Sequence, residues 1–116
     1  MSDPIVRRDG VQWIEPDWPA PASIRAISSM RQGGVSTAPW TSLNLGDHVG
    51  DDSQHVLHNR ARLVRAADIP GEPHWLRQVH GCDVVEARDV GGECEADAVY
   101  SLLSGEVCVV MTADCL

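Results

Sequence analysis

Residues 51–67 read Asp-Asp-Ser-Gln-His-Val-Leu-His-Asn-Arg-Ala-Arg-Leu-Val-Arg-Ala-Ala and carry the clearest secondary-structure signal of this 116-residue chain. The acidic and hydroxyl side chains at 51–53 are typical of a helix start, because they accept hydrogen bonds from the first free amides. Apolar residues follow at helical spacing, with Leu57 beside them, at Val56, Leu63, Val64 and Ala67. The proline at position 70 disfavours helical backbone in the residue before it. The stretch therefore predicts a helix that ends near residue 67.

The segment that precedes this helix predicts a long functional loop. Residues 31–36 read Arg-Gln-Gly-Gly-Val-Ser, and residues 37–50 contain too many glycine, asparagine and serine residues for a regular element. Loops of this length inside a compact domain usually carry function. Further upstream, residues 23–30 predict a strand. Residues 1–22 contain several prolines and predict an N-terminal arm with a short edge strand at 10–14.

The segment after the helix predicts short strands. Residues 74–80 alternate in character, and a turn at 81–83 joins them to residues 84–87 as a hairpin. Residues 96–101 predict a short strand, and residues 107–113 predict a buried one. Helix and strands follow one another without a regular β-α alternation, which indicates an α+β fold with a mixed sheet.

The last residues carry a further expectation. The chain stops directly after the apolar strand, with Asp114, Cys115 and Leu116, and without a closing helix or polar tail. Globular domains rarely stop after a central-looking strand. We therefore expect the chain to be a truncated part of a longer domain.

Composition and charge exclude several classes of protein. The formal net charge of −8 argues against a nucleic-acid partner and against a polybasic membrane anchor. No apolar run has the length of a membrane span, and the N-terminus lacks the pattern of a signal peptide. We therefore expect a cytoplasmic protein without a membrane partner. In that reducing compartment the 4 cysteines are expected to be free thiols or metal ligands.

The glycine-rich loop is a candidate anion-binding site. The adjacent Gly33 and Gly34 allow backbone amides to converge, Arg31 supplies a planar guanidinium and Ser36 adds a hydroxyl donor. This set suits a phosphate or a carboxylate. The alternative is a tight turn after a strand, with Arg31 on the surface. The spacing matches neither the Walker loop nor the dinucleotide-binding fingerprint.

His80 and Cys115 are the candidate reactive residues. His80 stands at a predicted strand end just before a glycine, where a rigid scaffold meets an open loop. Cys115 follows Asp114 at the exit of the apolar strand, whereas Cys108 inside that strand is expected to be a core residue. A thiol hydrolase would use His80 to activate the Cys115 thiolate. A catalytic zinc site would combine a sulfur, imidazoles and an open water position. A half-buried structural histidine is the third alternative for His80.

Several blocks of the chain occur in the order in which one known family carries them. These blocks are Arg31-Gln-Gly-Gly-Val-Ser, Ser42-Leu-Asn-Leu-Gly-Asp-His-Val-Gly-Asp-Asp, Asn59-Arg60, Trp75-Leu-Arg-Gln-Val-His-Gly, Glu95-Ala-Asp-Ala and Met111-Thr-Ala-Asp-Cys-Leu. From about residue 24 to its end, the chain closely resembles the YfiH-like family. This family is also called the laccase-domain or multicopper polyphenol oxidase family, and its members are described as purine nucleoside phosphorylases.

The resemblance implies a fold of the YfiH type and a zinc site of two histidines and one cysteine. By position, His80 and Cys115 resemble the first two ligands, and the block with the remaining histidine would follow residue 116. Residues 23–116 would then be the N-terminal part of the catalytic domain. The resemblance also implies that Asp114 orients a ligand or transfers a proton, and that Asn44 holds substrate or braces its loop. Copper is disfavoured, because a multicopper centre needs many histidines.

The activity that the resemblance implies is phosphorolysis of adenosine, inosine, guanosine and S-methyl-5′-thioadenosine, with deamination of adenosine. The expected partners are purine nucleosides and phosphate, and the phosphate seat would be built from Arg31, Gly33, Gly34 and Ser36. Two other hypotheses stay open, a thiol hydrolase and an inactive truncated fragment. The sequence does not indicate an oligomeric state.

Overall fold

A computed structural model describes residues 4–89 and 94–112 of the chain. The chain divides into two units, Met1–Ala67 and Asp68–Leu116. The first unit contains antiparallel strands and a helix, and the second contains parallel strand pairs. This combination confirms the predicted α+β fold, but within the described residues the antiparallel and parallel strands lie in separate sheets rather than in one mixed sheet.

The sheet of the first unit is antiparallel, and its three strands lie side by side in the order of the sequence. Its strands are β1 (Ile5–Arg8), β2 (Val11–Ile14) and β3 (Ser28–Ser29). Asp9 and Gly10 join β1 to β2 with positive φ angles of 53° and 82°. A two-residue loop with positive φ at both positions matches the twist of the strands that it connects, and Asp-Gly favours it.

The strand predicted at 10–14 is therefore present, but the prediction that it lies at the edge of the sheet is wrong. β2 is the central strand, and its Val11 and Trp13 are 0% and 1% exposed. Proline-rich flanks favour an edge position, but the Asp-Gly pair at 9–10 adds β1 as an outer neighbour. The strand predicted at 23–30 is reduced to β3.

The predicted helix is confirmed as α1 (Ser53–Ala66). Asp52 is its N-cap residue, and the side chain accepts a hydrogen bond from the Gln54 amide at 2.8 Å. At the other end, Arg8 Nη1 donates to the Ala66 carbonyl at 3.1 Å, and Arg25 donates to the Ala67 carbonyl. Cations at the C-terminal carbonyls satisfy groups that no further helical turn can reach.

The inner face of α1 differs from the predicted one at several positions, and Val64, expected on it, is only half-buried. Its buried residues are Val56, Asn59, Leu63 and Ala66. Val56 and Leu63 were expected there, but Leu57 is 58% exposed. A polar side chain, Asn59, with 0% exposure, completes the buried stripe. Because a buried amide needs hydrogen-bond partners, this position links the core of the first unit to its long loop.

Within its described residues, the second unit contains two parallel strand pairs. β4 (Leu76–Arg77) pairs with β6 (Cys94–Glu95), and β5 (Val84–Glu86) pairs with β7 (Ala98–Tyr100). A short 3₁₀ helix follows β5 at Ala87–Asp89. β7 confirms the strand predicted at 96–101.

The predicted hairpin of 74–80 with 84–87 is wrong. The segment between β4 and β5 does turn, but its amides point to the carboxylate of Asp97 rather than across a strand pair. Each strand then pairs with a later segment of the chain. Alternation indicates a strand but does not select its partner.

The buried strand predicted at 107–113 is also wrong within the described residues. There it forms an isolated bridge, Cys108 with His74, and Val110 is 60% exposed. Cys108, predicted in the core, is an exposed free thiol. An apolar run indicates that a strand could be buried. Burial also requires another element that packs over the strand, and no element in the described part of the chain covers Val110.

No helix within residues 4–89 and 94–112 is long and apolar enough to cross a membrane.

Candidate functional site

The amides of the glycine-rich loop are bonded inside the first unit. The Gly34 amide donates to Ser42 Oγ at 3.1 Å, and the Ser36 amide donates to the Ser42 carbonyl at 3.0 Å. The Val35 amide donates to Asn59 Oδ1 at 2.8 Å. The Val35 amide holds the loop against α1, the other two amides tie it to Ser42, and none of the three is directed at a separate anion.

The Ser36 hydroxyl is a member of the same buried arrangement. It donates to Asp51 Oδ2 at 2.5 Å and accepts from Asn59 Nδ2 at 2.9 Å. Asn59 Nδ2 also donates to the Asn44 carbonyl, and Asn44 Nδ2 donates to Asp51 Oδ2 at 3.0 Å. We call these four residues, Ser36, Asn44, Asp51 and Asn59, the Asn59 network. It joins the glycine-rich loop, the loop before α1 and the helix itself.

The two glycines of the loop are required by close packing. Gly33 has a φ of 101°, and a Cβ there would lie 2.9 Å from Val11 Cα. A Cβ on Gly34 would lie 2.5 Å from Asn59 Oδ1 and 2.6 Å from Leu43 Cα. Side chains do not approach backbone atoms this closely, so both positions need glycine whether or not the loop binds an anion.

Arg31 is the member of the predicted phosphate seat that stands on the surface. Its Nε donates to the Thr41 carbonyl at 3.1 Å, and the side chain is exposed. Asn44 braces its loop through bonds in both directions with Gly46, each 3.1 Å long. The bracing role of Asn44 is thus visible, and binding of phosphate or substrate by this loop stays a prediction.

Asp51 is the charged centre of the Asn59 network. Its side chain is only 2% exposed. The Ser36 hydroxyl lowers the pKa of the Asp51 carboxyl, against the effect of its burial, and the Asn44 amide lowers it further. The carboxylate form is therefore the one that the network stabilises.

Acidification is expected to destabilise the first unit through Asp51. A carboxyl whose pKa is lowered by folding contributes stability above its ordinary pKa of 3.8, and the contribution is lost as the pH falls through the lower folded value. We expect the urea midpoint of Asp51→Asn to depend less on pH than that of the parent chain, between about pH 5 and pH 2. The exposed Asp17→Asn is the control and should follow the parent. Equal pH dependence in Asp51→Asn and the parent would contradict this role.

His80 lies in the turn between β4 and β5 of the second unit. Its side chain is exposed, and its backbone has a positive φ of 58°. Within the described residues, no hydrogen bond occupies its ring nitrogens. The imidazole is therefore presented to solvent from a strained backbone, and this contradicts the half-buried structural role considered for it.

Asp97 holds the turn that carries His80. Its Oδ1 accepts from the Val79 amide at 3.2 Å, and its Oδ2 accepts from the amides of Gly81 at 3.0 Å and Asp83 at 3.4 Å. Burial raises the pKa of the Asp97 carboxyl, but the amide hydrogen bonds from Gly81, Asp83, Val79 and His80 lower it by more. The net direction is downward, so the turn encloses a carboxylate rather than a carboxylic acid.

The other predicted reactive residues, Asp114 and Cys115, lie outside the described residues. Cys82, Cys94 and Cys108 are free thiols. Within 4–89 and 94–112, no group of three or more histidine, cysteine or acidic residues is arranged to hold a metal ion. The joint site of His80 and Cys115 therefore stays a prediction.

Sequence reasoning assigned no site role to Asn59 or Asp97, and it placed Asp51 only among the residues that begin the helix. For Asn59 a signal was present, because position 59 falls three residues after Val56 on the inner face of the helix. A polar residue at an inward position indicates a buried hydrogen-bond network. Asp97 carries no comparable signal, since its partners lie in a turn that precedes it by more than a dozen residues.

Residues 25–116 match the protein family described as multi-copper polyphenol oxidoreductase laccase. The chain belongs to this family. The match confirms the resemblance that the sequence blocks indicate. The glycine-rich loop, the Asn59 network, His80 and Asp97 all lie within the matched residues.

Curated relatives of this chain carry the name purine nucleoside phosphorylase. Purine nucleoside phosphorylase PA4543 of Pseudomonas aeruginosa is 53% identical over 104 residues, which cover 90% of this chain and 42% of that protein. Purine nucleoside phosphorylase YfiH of Escherichia coli K12 is 52% identical over 104 residues, which cover 89% of this chain and 43% of that protein. The chain thus spans less than half the length of these relatives.

A solved structure shows the same fold. The crystal structure of Neisseria meningitidis protein NMB0706 matches with a TM-score of 0.80 at 40% sequence identity. The match covers 88% of this chain and 42% of that one. The predicted YfiH-like fold is confirmed by this agreement.

Proposed function

We propose that this chain is part of a zinc-dependent purine nucleoside phosphorylase. The observation that carries the proposal is the 53% identity, over 104 residues, to a protein with that name. The proposed substrates are adenosine, inosine, guanosine and S-methyl-5′-thioadenosine, each with inorganic phosphate. Deamination of adenosine is the proposed second activity.

His80 and Cys115 are the residues that would hold the zinc ion. Imidazole and thiolate are the preferred ligand types for zinc, and His80 meets the requirement of an accessible ring nitrogen without a competing partner in the described residues. The turn around Asp97 limits the freedom of the His80 backbone. When bound, zinc would act as a Lewis acid and lower the pKa of a coordinated water.

The chain's own residues have separate tasks in this proposal. Arg31 would bind phosphate, because its exposed guanidinium can offer two parallel donors to an oxyanion. Gly34, Ser36 and Asn44 would support Arg31 by fixing the loop rather than by contacting phosphate, since their amides or side chains are bonded internally. Gly33 would support it through its close packing against Val11. Asp114 would orient the adjacent Cys115 or move a proton.

Replacing His80 by asparagine is expected to lower phosphate-dependent purine release at least about ten-fold, because loss of an imidazole ligand weakens zinc binding. The purified protein would be incubated with inosine, with and without phosphate, and hypoxanthine would be measured by chromatography. Zinc per chain would be determined by elemental analysis of the same samples. We expect zinc and activity to fall together.

His58→Asn is the matched control, because His58 is an exposed histidine on α1 with no assigned role. It should keep the activity and zinc content of the parent. Hypoxanthine formation that does not need phosphate would contradict the phosphorylase. Activity that survives a chelator and is lost on thiol alkylation would instead support the thiol hydrolase.

A further inference from the structure

The turn that carries His80 has the geometry of an anion-binding nest. Residues 79–83 direct several backbone amides to one side, and the left-handed His80, with φ 58°, lies in the middle of the turn. Alternation of right-handed and left-handed backbone makes successive amides converge in this way. In this chain the anion is the side chain of Asp97.

The nest and the imidazole are coupled through the backbone of one residue. A left-handed conformation is unfavourable for any residue with a Cβ, and it persists where the surroundings stabilise it. The Asp97 carboxylate supplies that stabilisation, because it accepts hydrogen bonds from the amides on both sides of His80. With the amides turned toward Asp97, the His80 side chain is exposed.

We propose that Asp97 is a positioning residue for His80, fixing the turn at 79–83 so that the imidazole is presented for metal binding. The inference rests on the proposed function, in which His80 holds zinc. A neutral amide at position 97 would keep the size of the side chain. It would replace one carboxylate oxygen by an NH₂ group, which cannot accept a hydrogen bond. Depending on which oxygen is replaced, the turn would lose either the Val79 bond or the Gly81 and Asp83 bonds, and the left-handed conformation of His80 would be held less firmly.

The test uses the full chain in reduced form and two measurements. Zinc affinity is measured by competition with a chromophoric chelator, and amide hydrogen exchange is measured for residues 79–83. For Asp97→Asn we expect zinc binding about ten-fold weaker than in the parent, together with faster exchange in the turn. Asp89→Asn removes the same charge from an exposed position and should match the parent in both measurements.

A milder second variant keeps the inference testable if Asp97→Asn does not fold. A Cβ on Gly81 would lie 3.3 Å from Asp97 Oδ2, so Gly81→Ala crowds the contact without removing the charge. We expect a smaller loss of zinc affinity in the same direction. Faster exchange with unchanged zinc affinity would overturn the positioning role, because Asp97 would then be structural only. Unchanged exchange in both variants would overturn it as well.

His80→Asn separates this inference from the proposed function. If zinc affinity is the same in His80→Asn and in the parent, the proposed function fails at its metal site, and the metal part of this inference fails with it. If His80→Asn loses zinc while Asp97→Asn and Gly81→Ala bind it like the parent, only the positioning inference fails.

Discussion

Alanine at position 34 is expected to destabilise the first unit by about 3 kcal/mol or more, since overpacking against immobile atoms has costs of this order. The new Cβ would lie 2.5 Å from Asn59 Oδ1 and 2.6 Å from Leu43 Cα, and closer still to the Ser42 carbonyl oxygen. Two of these three neighbours are backbone atoms, which cannot rotate away. The loop would have to leave α1, and the Val35 and Ser36 amides would lose their partners. Urea unfolding followed by tryptophan fluorescence measures the loss.

Gly46→Ala is the matched control for this prediction. A Cβ on Gly46 would first meet Asn44 Oδ1, at 3.6 Å, which is an ordinary contact. Its effect should stay within about 0.5 kcal/mol, as is usual for substitutions without a steric conflict. If Gly34→Ala unfolds at the same urea concentration as Gly46→Ala, the close packing of the loop on the helix is refuted.

Replacing Asn59 by alanine is expected to destabilise the chain by about 3 kcal/mol, because each buried group left without a partner costs about 1–3 kcal/mol. Asn59 is 0% exposed and accepts from the Val35 amide. It donates to Ser36 Oγ and to the Asn44 carbonyl. Its removal leaves these groups without the partner that the buried Asn59 side chain supplies. The shift in the urea midpoint of the parent and the variant gives the magnitude.

Asn59→Asp separates the contribution of the hydrogen bonds to stability from the contribution of the side-chain volume. Aspartate fills the same space but cannot donate to Ser36 or Asn44, and it would place a second negative charge near Asp51. It should therefore be at least as destabilising as alanine. The exposed neighbour His58→Ala is the control and should unfold like the parent. A stable Asn59→Asp variant would argue that packing alone explains this position.

Features of the fold that depend on neighbouring residues in the chain were predictable. Asp52 caps α1 as expected, and Val56 and Leu63 face the core, because capping and helical periodicity act over a few residues. The Asp-Gly turn at 9–10 belongs to the same class, because this residue pair favours the two-residue turn that joins β1 to β2. The family could also be inferred from sequence blocks in order, and the match over 25–116 confirms it.

The errors concern partners that are distant in the chain. β4 and β5 alternate as a hairpin should, yet each pairs in parallel with a strand that follows later. The amides of Val79, Gly81 and Asp83 between the two strands are bonded to the Asp97 carboxylate, a partner that alternation along the chain does not reveal. The prediction that Cys108 lies in the core is wrong for a similar reason, since an apolar stretch does not specify which element covers it.

The amino-acid order alone settled the helix, its cap, the glycine-rich loop and the family, because each depends on local backbone preference or on blocks that can be read directly. Folding in three dimensions decided what those residues do. Ser36, chosen as an anion donor, is a partner of Asp51, and Asn59 joins them inside the first unit. The reason is that a buried polar group needs hydrogen-bond partners, and the fold brings these partners together from distant parts of the chain. Spacing along the chain does not show which residues become close in space.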